Sequence, residues 1–174
     1  MNPDHPEAPR ILFEGKFLRL IKEGRWEYVE RVRANGAVMV IAVTPEKELI
    51  LVEEYRYPLH SITIGLPAGI SGDEGPESLE NSARRELLEE AGYQARDMVH
   101  LCTGPSSPGL TTEMISFFMA TGLTKISSGG GVDNEDITVH HVPLDTIDKW
   151  ISDQLTQGKI LDPKVYLGLH FLHR

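Results

Sequence analysis

Apolar and polar positions along this chain follow two different periods, and the change of period marks where strands give way to helices. Phe17 to Ile21 and Trp26 to Val32 read as two strands joined by the turn signal Lys22-Glu23-Gly24-Arg25. Ala37 to Val43 and Leu49 to Tyr55, on either side of Thr44-Pro45-Glu46-Lys47, are almost continuously Val, Ile, Met and Leu, as expected of strands covered on both faces. Ile62 to Leu66, Asp97 to Thr103, Met114 to Thr121 and Ile137 to Val142 predict further strands. Helical spacing recurs in three places. Pro76 to Ala91 predicts a helix with Pro76 at a first helical position and Gly92 as its C-terminal cap. Leu144 to Gln157 sets Leu144, Ile147, Ile151 and Leu155 on one side and stops at Gly158. Asp162-Pro163 starts a last helix, with Val165, Leu169 and His173 roughly in line. Met1 to Arg10, with its prolines, is expected to be a mobile lead-in to a single domain over residues 11–174. Gly129-Gly130-Gly131 predicts a flexible loop. Strands and helices in this order predict an α+β fold, a mixed sheet between helices.

The helix at Pro76 to Ala91 carries the part that needs a chemical explanation, Arg85-Glu86-Leu87-Leu88-Glu89-Glu90. Glu86, Glu89 and Glu90 fall within about one third of the helix circumference. Ala83, Leu87, Leu88 and Ala91 adjoin them on a side fit for a core, interrupted by Arg84. Carboxylates ~6–8 Å apart repel by roughly 2–3 kcal/mol per pair at an effective dielectric near 20. They also sit near the helix C-terminal half, the unfavourable end of its dipole for anions. A solvated face would interleave Lys or Arg at i+4, and this one does not. A hard divalent cation removes the repulsion.

Composition narrows the alternatives. A length of 174 residues suits one domain with a real core. A net charge of −9 argues against a sequence-independent nucleic-acid binder, and it suits a polyphosphate substrate only once a bound cation reverses the local sign. No run of eighteen apolar residues predicts a membrane span, and the start does not read as a signal peptide, so the cytoplasm is the expected compartment. Cys102 lies in an apolar stretch and reads as a structural thiol. His140 and His141, adjacent in a strand, point to opposite faces and are poor joint ligands.

Glu77, seven residues, then Arg85-Glu86-Leu87-Leu88-Glu89-Glu90-Ala91-Gly92-Tyr93 resembles the Nudix hydrolase signature, G-x5-E-x7-R-E-U-x-E-E-x-G-U with U apolar. One position departs: Ser71 stands where the opening glycine belongs, and Gly69 precedes it. Tyr55-Arg56-Tyr57-Pro58, Leu66-Pro67-Ala68-Gly69, Ser107-Pro108-Gly109-Leu110-Thr111-Thr112-Glu113, Asn134-Glu135-Asp136-Ile137 and Gly158-Lys159-Ile160 resemble the ADP-ribose pyrophosphatase branch, from about Phe17 to the C-terminus. The resemblance implies the Nudix fold, a mixed β-sheet between helices (α/β/α) with an N-terminal antiparallel strand pair. It also implies hydrolysis of the diphosphate of a nucleoside diphosphate sugar, most simply ADP-ribose to AMP and ribose 5-phosphate. GDP-mannose or another nucleotide is the alternative, and a non-catalytic ADP-ribose sensor is less favoured because the glutamates are present.

The same resemblance implies roles for single residues. Glu86, Glu89, Glu90 and the Ala68 carbonyl would hold two or three Mg²⁺ ions, or Mn²⁺ in their place. Arg85 would fix a ligand glutamate or pair with Glu77. The general base would come from the loop holding Asp133 and Glu135, with Glu135 favoured. Arg56 would grip a phosphate, and Glu113 would order the Ser-Pro-Gly loop. Trp26, Tyr28 or Phe17 could stack on the base. The strands within residues 11–35 would meet a second subunit in a homodimer.

Overall fold

The computed structural model describes residues 8–73, 75–132 and 135–173. Most of the expected lead-in, residues 1–7, lies outside the described residues, and Arg10 already opens a strand. Strands β1 (Arg10–Glu14), β2 (Leu18–Glu23) and β3 (Trp26–Arg31) form an antiparallel three-stranded sheet where the sequence predicts a pair. Every residue of β1 is exposed, so no burial pattern announces it.

Next come β4 (Gly36–Ala42), β5 (Glu48–Arg56), a single 3₁₀ turn at Tyr57–Leu59, β6 (Ser61–Gly65) and β7 (Ala68–Ser71). Helix α1 (Leu79–Ala91) follows, then β8 (Tyr93–Pro105), β9 (Met114–Lys125), β10 (Thr138–Pro143), α2 (Ile147–Thr156), β11 (Ile160–Leu161) and α3 (Lys164–Leu172). These strands make two four-stranded mixed sheets, ordered β10-β5-β6-β11 and β7-β4-β9-β8. The parallel contacts are β4 with β9 and β6 with β11.

Period two in β4 and β5 divides the molecule into two cores. Met39, Ile41, Leu49 and Leu51 join Ile147 and Ile151 of α2 and Val165 and Leu169 of α3. Val38, Val40, Ala42 and Ile50 instead meet Ala83, Leu87 and Ala91 of α1. The sheets therefore lie between α1 on one side and α2 with α3 on the other. Cys102 is half-buried and packs against the first core.

Several boundaries move for identifiable reasons. α1 starts at Leu79, not Pro76, because the Ser78 hydroxyl accepts the Asn81 N–H at 3.2 Å. A proline only removes one unpaired donor at a helix start, whereas a serine cap satisfies one. α3 starts at Lys164, whose N–H donates to Asp162 Oδ1 at 2.9 Å. α2 is shorter than expected, and Leu155 stays 46% exposed on a last turn that overhangs the core. The glycine run is hydrogen-bonded to the end of α1. Gly130 and Gly131 donate to the Glu90 and Glu89 carbonyls at 2.9 and 3.0 Å, satisfying two orphan acceptors at the end of α1.

Adjacent glutamates on β5 illustrate the sidedness. Glu53 accepts from Lys159 Nζ at 2.7 Å and from His140 Nε2 at 2.9 Å, pinning β11 and β10 to β5. His141 turns the opposite way, onto the Tyr93 hydroxyl at 2.9 Å. Burial alone would raise the Glu53 carboxyl, yet hydrogen bonds from Lys159 and His140 bring it below its ordinary value. A depressed carboxyl stabilises the fold above the unfolded-state pKa and ceases to do so as pH falls through the folded one. Glu53→Gln is thus expected to lower stability by about 1–3 kcal/mol at pH 7. The variant should also lose less stability than the parent below pH ~4.5, as urea denaturation across pH would show.

Candidate active site

The buried stripe of α1 carries two carboxylates into the interior with its alanines and leucine. Glu86 is 9% exposed and Glu90 is 5% exposed. Glu90 Oε2 accepts the Ala68 N–H at 2.9 Å. Glu86 lies across Gly69 so closely that a Cβ there would stand 1.9 Å from Oε1 and 2.0 Å from Cδ. A side chain at residue 69 would displace the Glu86 carboxylate from this position. Burial pushes Glu86 up to about 7, opposed by Arg85 and assisted by Glu89 and Glu135. Burial likewise pushes Glu90 up to about 8, opposed by the Ala68 N–H and assisted by Glu86, Glu54 and Glu135.

Arg85 is shared among several acceptors, and its i,i+4 pairing with Glu89 supplies on this face the interleaved cation that the sequence was expected to lack. Its Nη1 reaches Glu86 Oε1 at 2.9 Å and Glu89 Oε2 at 3.0 Å, while Nη2 meets the Ile70 carbonyl at 3.1 Å and Glu77 at 3.4 Å. Burial opposes its charge, but Glu86, Glu89 and Glu77 together hold the guanidinium above its ordinary range. Glu77 in turn takes the Ser82 hydroxyl at 2.8 Å, and Ser82 lies 2.8 Å from the Ser71 hydroxyl. The departure at residue 71 is thereby absorbed: Ser71 is fully buried in this hydroxyl chain, and the next residue, Gly72, makes the turn at φ +85°.

Around these residues opens a cleft of about 800 Å³. Its remaining walls hold Glu54 and Arg56 from β5, Thr63 from β6, Arg31 from β3, Glu113, Glu135, Asp162 and Lys164. Arg56 pairs with Glu54 at 2.5 Å, Arg31 with Glu113 at 2.5 Å and Lys164 with Asp162 at 2.8 Å. With Arg85, each of the four basic side chains that line the cleft among the described residues is therefore already matched to a carboxylate. Glu113 also closes the Ser-Pro-Gly loop, its carbonyl accepting the Ser106 N–H at 3.0 Å. That loop is tied to β3 by the Val29 N–H on the Leu110 carbonyl at 2.9 Å.

Glu135 reaches the cleft because its loop is capped onto α1, and its own carboxylate accepts the Val132 N–H at 3.0 Å. Asp133 lies outside the described residues. Trp26 and Tyr28 do not line the cleft of this chain: Trp26 is 55% exposed and Tyr28 bonds Glu23 at 3.0 Å. Phe17 is likewise exposed, under Lys16. Sequence reasoning passed over Glu54, which burial raises above its usual value. Its signal was present, since Val52, Glu54 and Arg56 share one face by period two.

The donor set fits a hard divalent cation. Glu86, Glu89 and Glu90 offer carboxylate oxygens beside Ala68, with Glu54 and Glu135 adding negative charge and no unmatched base to oppose it. Glu86 and Glu89 are turned toward Arg85, and among the described residues no three ligand side chains gather round one point.

Comparison with known proteins agrees with this geometry. The profile of the NUDIX domain matches residues 33–161. A methanol dehydrogenase activator of Bacillus methanolicus is 32% identical over 169 residues, covering 92% of this chain and 88% of that protein. An ADP-ribose pyrophosphatase of Bacillus subtilis (strain 168) is 30% identical over 172 residues, covering 95% and 90%. A GDP-mannose pyrophosphatase of Salmonella arizonae is 31% identical over 149 residues, covering 81% and 74%. The crystal structure of an ADP compounds hydrolase shares the fold, with a TM-score of 0.69 over 85% of this chain and 82% of that one at 22% identity.

The raised carboxyls at Glu86 and Glu90 have a sign in stability. Their folded values lie above the ordinary 4.5, so the folded chain binds the extra protons between pH 4.5 and about 8. That contribution is complete below the unfolded pKa and is lost as pH rises through the folded one. In EDTA, Glu90→Gln should therefore melt higher than the parent at pH 8.5, and the gap should shrink toward pH 5. Thermal melts at three pH values check this.

Proposed function

The chain belongs to the NUDIX domain family of hydrolases, and from that premise we propose that it cleaves the diphosphate linkage of a nucleoside diphosphate sugar in a divalent-metal-dependent reaction. ADP-ribose, split to AMP and ribose 5-phosphate, is the substrate we favour. The observation that carries the reading is the pair of buried carboxylates, Glu86 and Glu90, in a cleft whose bases are all matched already. Among the described residues, a dianionic diphosphate meets no cation that is not already paired. A GDP-mannose substrate is the second reading, favoured by relatives named GDP-mannose pyrophosphatase.

In this reading Glu86, Glu89, Glu90 and the Ala68 carbonyl hold Mg²⁺, or Mn²⁺, as two or three ions. When bound, the cation neutralises the diphosphate oxygens and makes a water easier to deprotonate. The chain's residues do the rest. Arg85 pairs with Glu86 and Glu89 and so limits the rotamers open to both ligands. Glu135 takes the proton from the attacking water as its oxygen bonds to phosphorus and the bridging P–O bond breaks. Arg56 would donate to a phosphate oxygen by exchanging its Glu54 partner for the substrate.

The N-terminal sheet leaves Ile11, Phe13, Phe17, Leu18 and Trp26 exposed. A homodimer that covers them, and brings Trp26 or Tyr28 toward the neighbouring cleft to stack on the base, completes the proposal. Light scattering should return twice the chain mass. Among the described residues no helix is long and apolar enough to cross a membrane, and the cytoplasm is the compartment we propose.

Glu135→Gln should lower kcat by about 10²–10⁴-fold with little change in KM, whereas Asp133→Asn should stay near the parent. Unchanged turnover in Glu135→Gln would transfer the base to another residue. ADP-ribose and GDP-mannose assayed side by side with Mg²⁺ in H₂¹⁸O would report the preferred substrate and the phosphorus attacked.

A further inference from the structure

Residue 71 closes β7 and carries a hydroxyl where the family signature has glycine. Its backbone is engaged on both sides: Ser71 pairs with Gly36 of β4, and its carbonyl accepts the Asn35 N–H at 2.7 Å. Its side chain is fully buried, as is that of Ser82 on the first turn of α1. The Ser82 oxygen lies 2.8 Å from Ser71 Oγ, 2.8 Å from Glu77 Oε2 and 3.1 Å from the Ser78 carbonyl. Each hydroxyl has one proton to give. Among the described residues, Ser82 is the partner of the Ser71 hydroxyl. Both protons therefore find acceptors when Ser71 donates to Ser82 and Ser82 donates onward.

Onward means Glu77. A serine inside a helix commonly donates back to the carbonyl four residues earlier, here Ser78. A carboxylate is the stronger acceptor, and a hydroxyl that is itself accepting a proton donates more strongly. Ser71 thus biases the Ser82 proton toward Glu77. Glu77 depends on that bond, because the same Oε2 lies 3.4 Å from both Arg85 Nε and Nη2, long against 2.8 Å. The guanidinium is pulled two ways, by Glu77 and the Ile70 carbonyl on one side and by Glu86 and Glu89 on the other. Weakening the Glu77 side leaves more of the positive charge on the two glutamates, which a cation would need free.

Resting on the metal-dependent reading above, we infer that Ser71 is a positioning residue: through Ser82 and Glu77 it draws Arg85 away from Glu86 and Glu89, and so strengthens their hold on a divalent cation. A glycine at residue 71 has no hydroxyl with which to start this relay. Neither serine lines the cleft, so a change at either acts on the carboxylates through Glu77 and Arg85.

The test is a double-variant cycle on the full chain: parent, Ser71→Ala, Ser82→Ala and the two combined, with folding checked by thermal melting. Ser71→Gly, which restores the signature residue, stands in if Ser71→Ala fails to fold. Mn²⁺ binding is read from the electron paramagnetic resonance signal of the free ion. Losing a direct partner of a metal ligand costs roughly 10–100-fold in affinity, so a residue further back along the hydrogen bonds should cost about three- to tenfold. Ser82→Ala should weaken binding at least as much. Adding Ser71→Ala to it should change nothing further, since the relay is already cut. A serine that merely packs would not give this pattern. Unchanged or tighter Mn²⁺ binding in the folded Ser71 variants, or losses that add in the combined variant, would overturn the relay. A parent chain that takes up no Mn²⁺ would instead defeat the metal-dependent reading, and the relay's action with it.

Discussion

Arg85 is the interaction on which this structure depends. Without it, Glu77, Glu86 and Glu89 would face one another as unmatched like charges, Glu86 and Glu89 in the half of α1 where the helix dipole disfavours anions. A single guanidinium spans them all and also reaches the Ile70 carbonyl of β7, while Ala83 and Leu87 seat α1 in the second core. Its planar donor fork suits that division of contacts better than a lysine's point charge. Glu90 is the carboxylate that Arg85 does not reach. It is held by one backbone N–H instead, and burial accordingly pushes it up furthest, to about 8.

That arrangement explains why the surrounding chain is built as it is. Gly69 leaves open the space in which the Glu86 carboxylate lies. The Gly130 and Gly131 amides close the end of α1 and deliver Glu135 to the cleft in the same stroke. A loop made of glycines thus serves as a cap here, its N–H groups bonded to helix carbonyls. The sheet contributes by parity. Glu53 and Glu54 are neighbours in sequence, but the pleat sends one to anchor β10 and β11 and the other into the cleft. One strand serves stability on one side and chemistry on the other.

The family's sequence box survives a departure at Ser71 for a similarly local reason. Ser82 and Glu77 accommodate the extra hydroxyl, and the required turn falls on Gly72. A glycine lost from a motif is tolerated when a neighbour can take its backbone conformation.

Local spacing alone determined the strands of the two cores, the carboxylate helix, and the grouping of Glu86, Glu89 and Glu90, because burial period and helix pitch are written into adjacent residues. Local rules also sufficed to separate His140 from His141. They did not suffice for β1, which buries nothing, nor for the glycine run, whose hydrogen-bond partners are on another element. The pairing of Arg31 with Glu113, of Lys159 with Glu53 and of Ser71 with Ser82 was decided only by tertiary structure. Each joins residues on different elements, a condition that leaves no periodic trace in sequence.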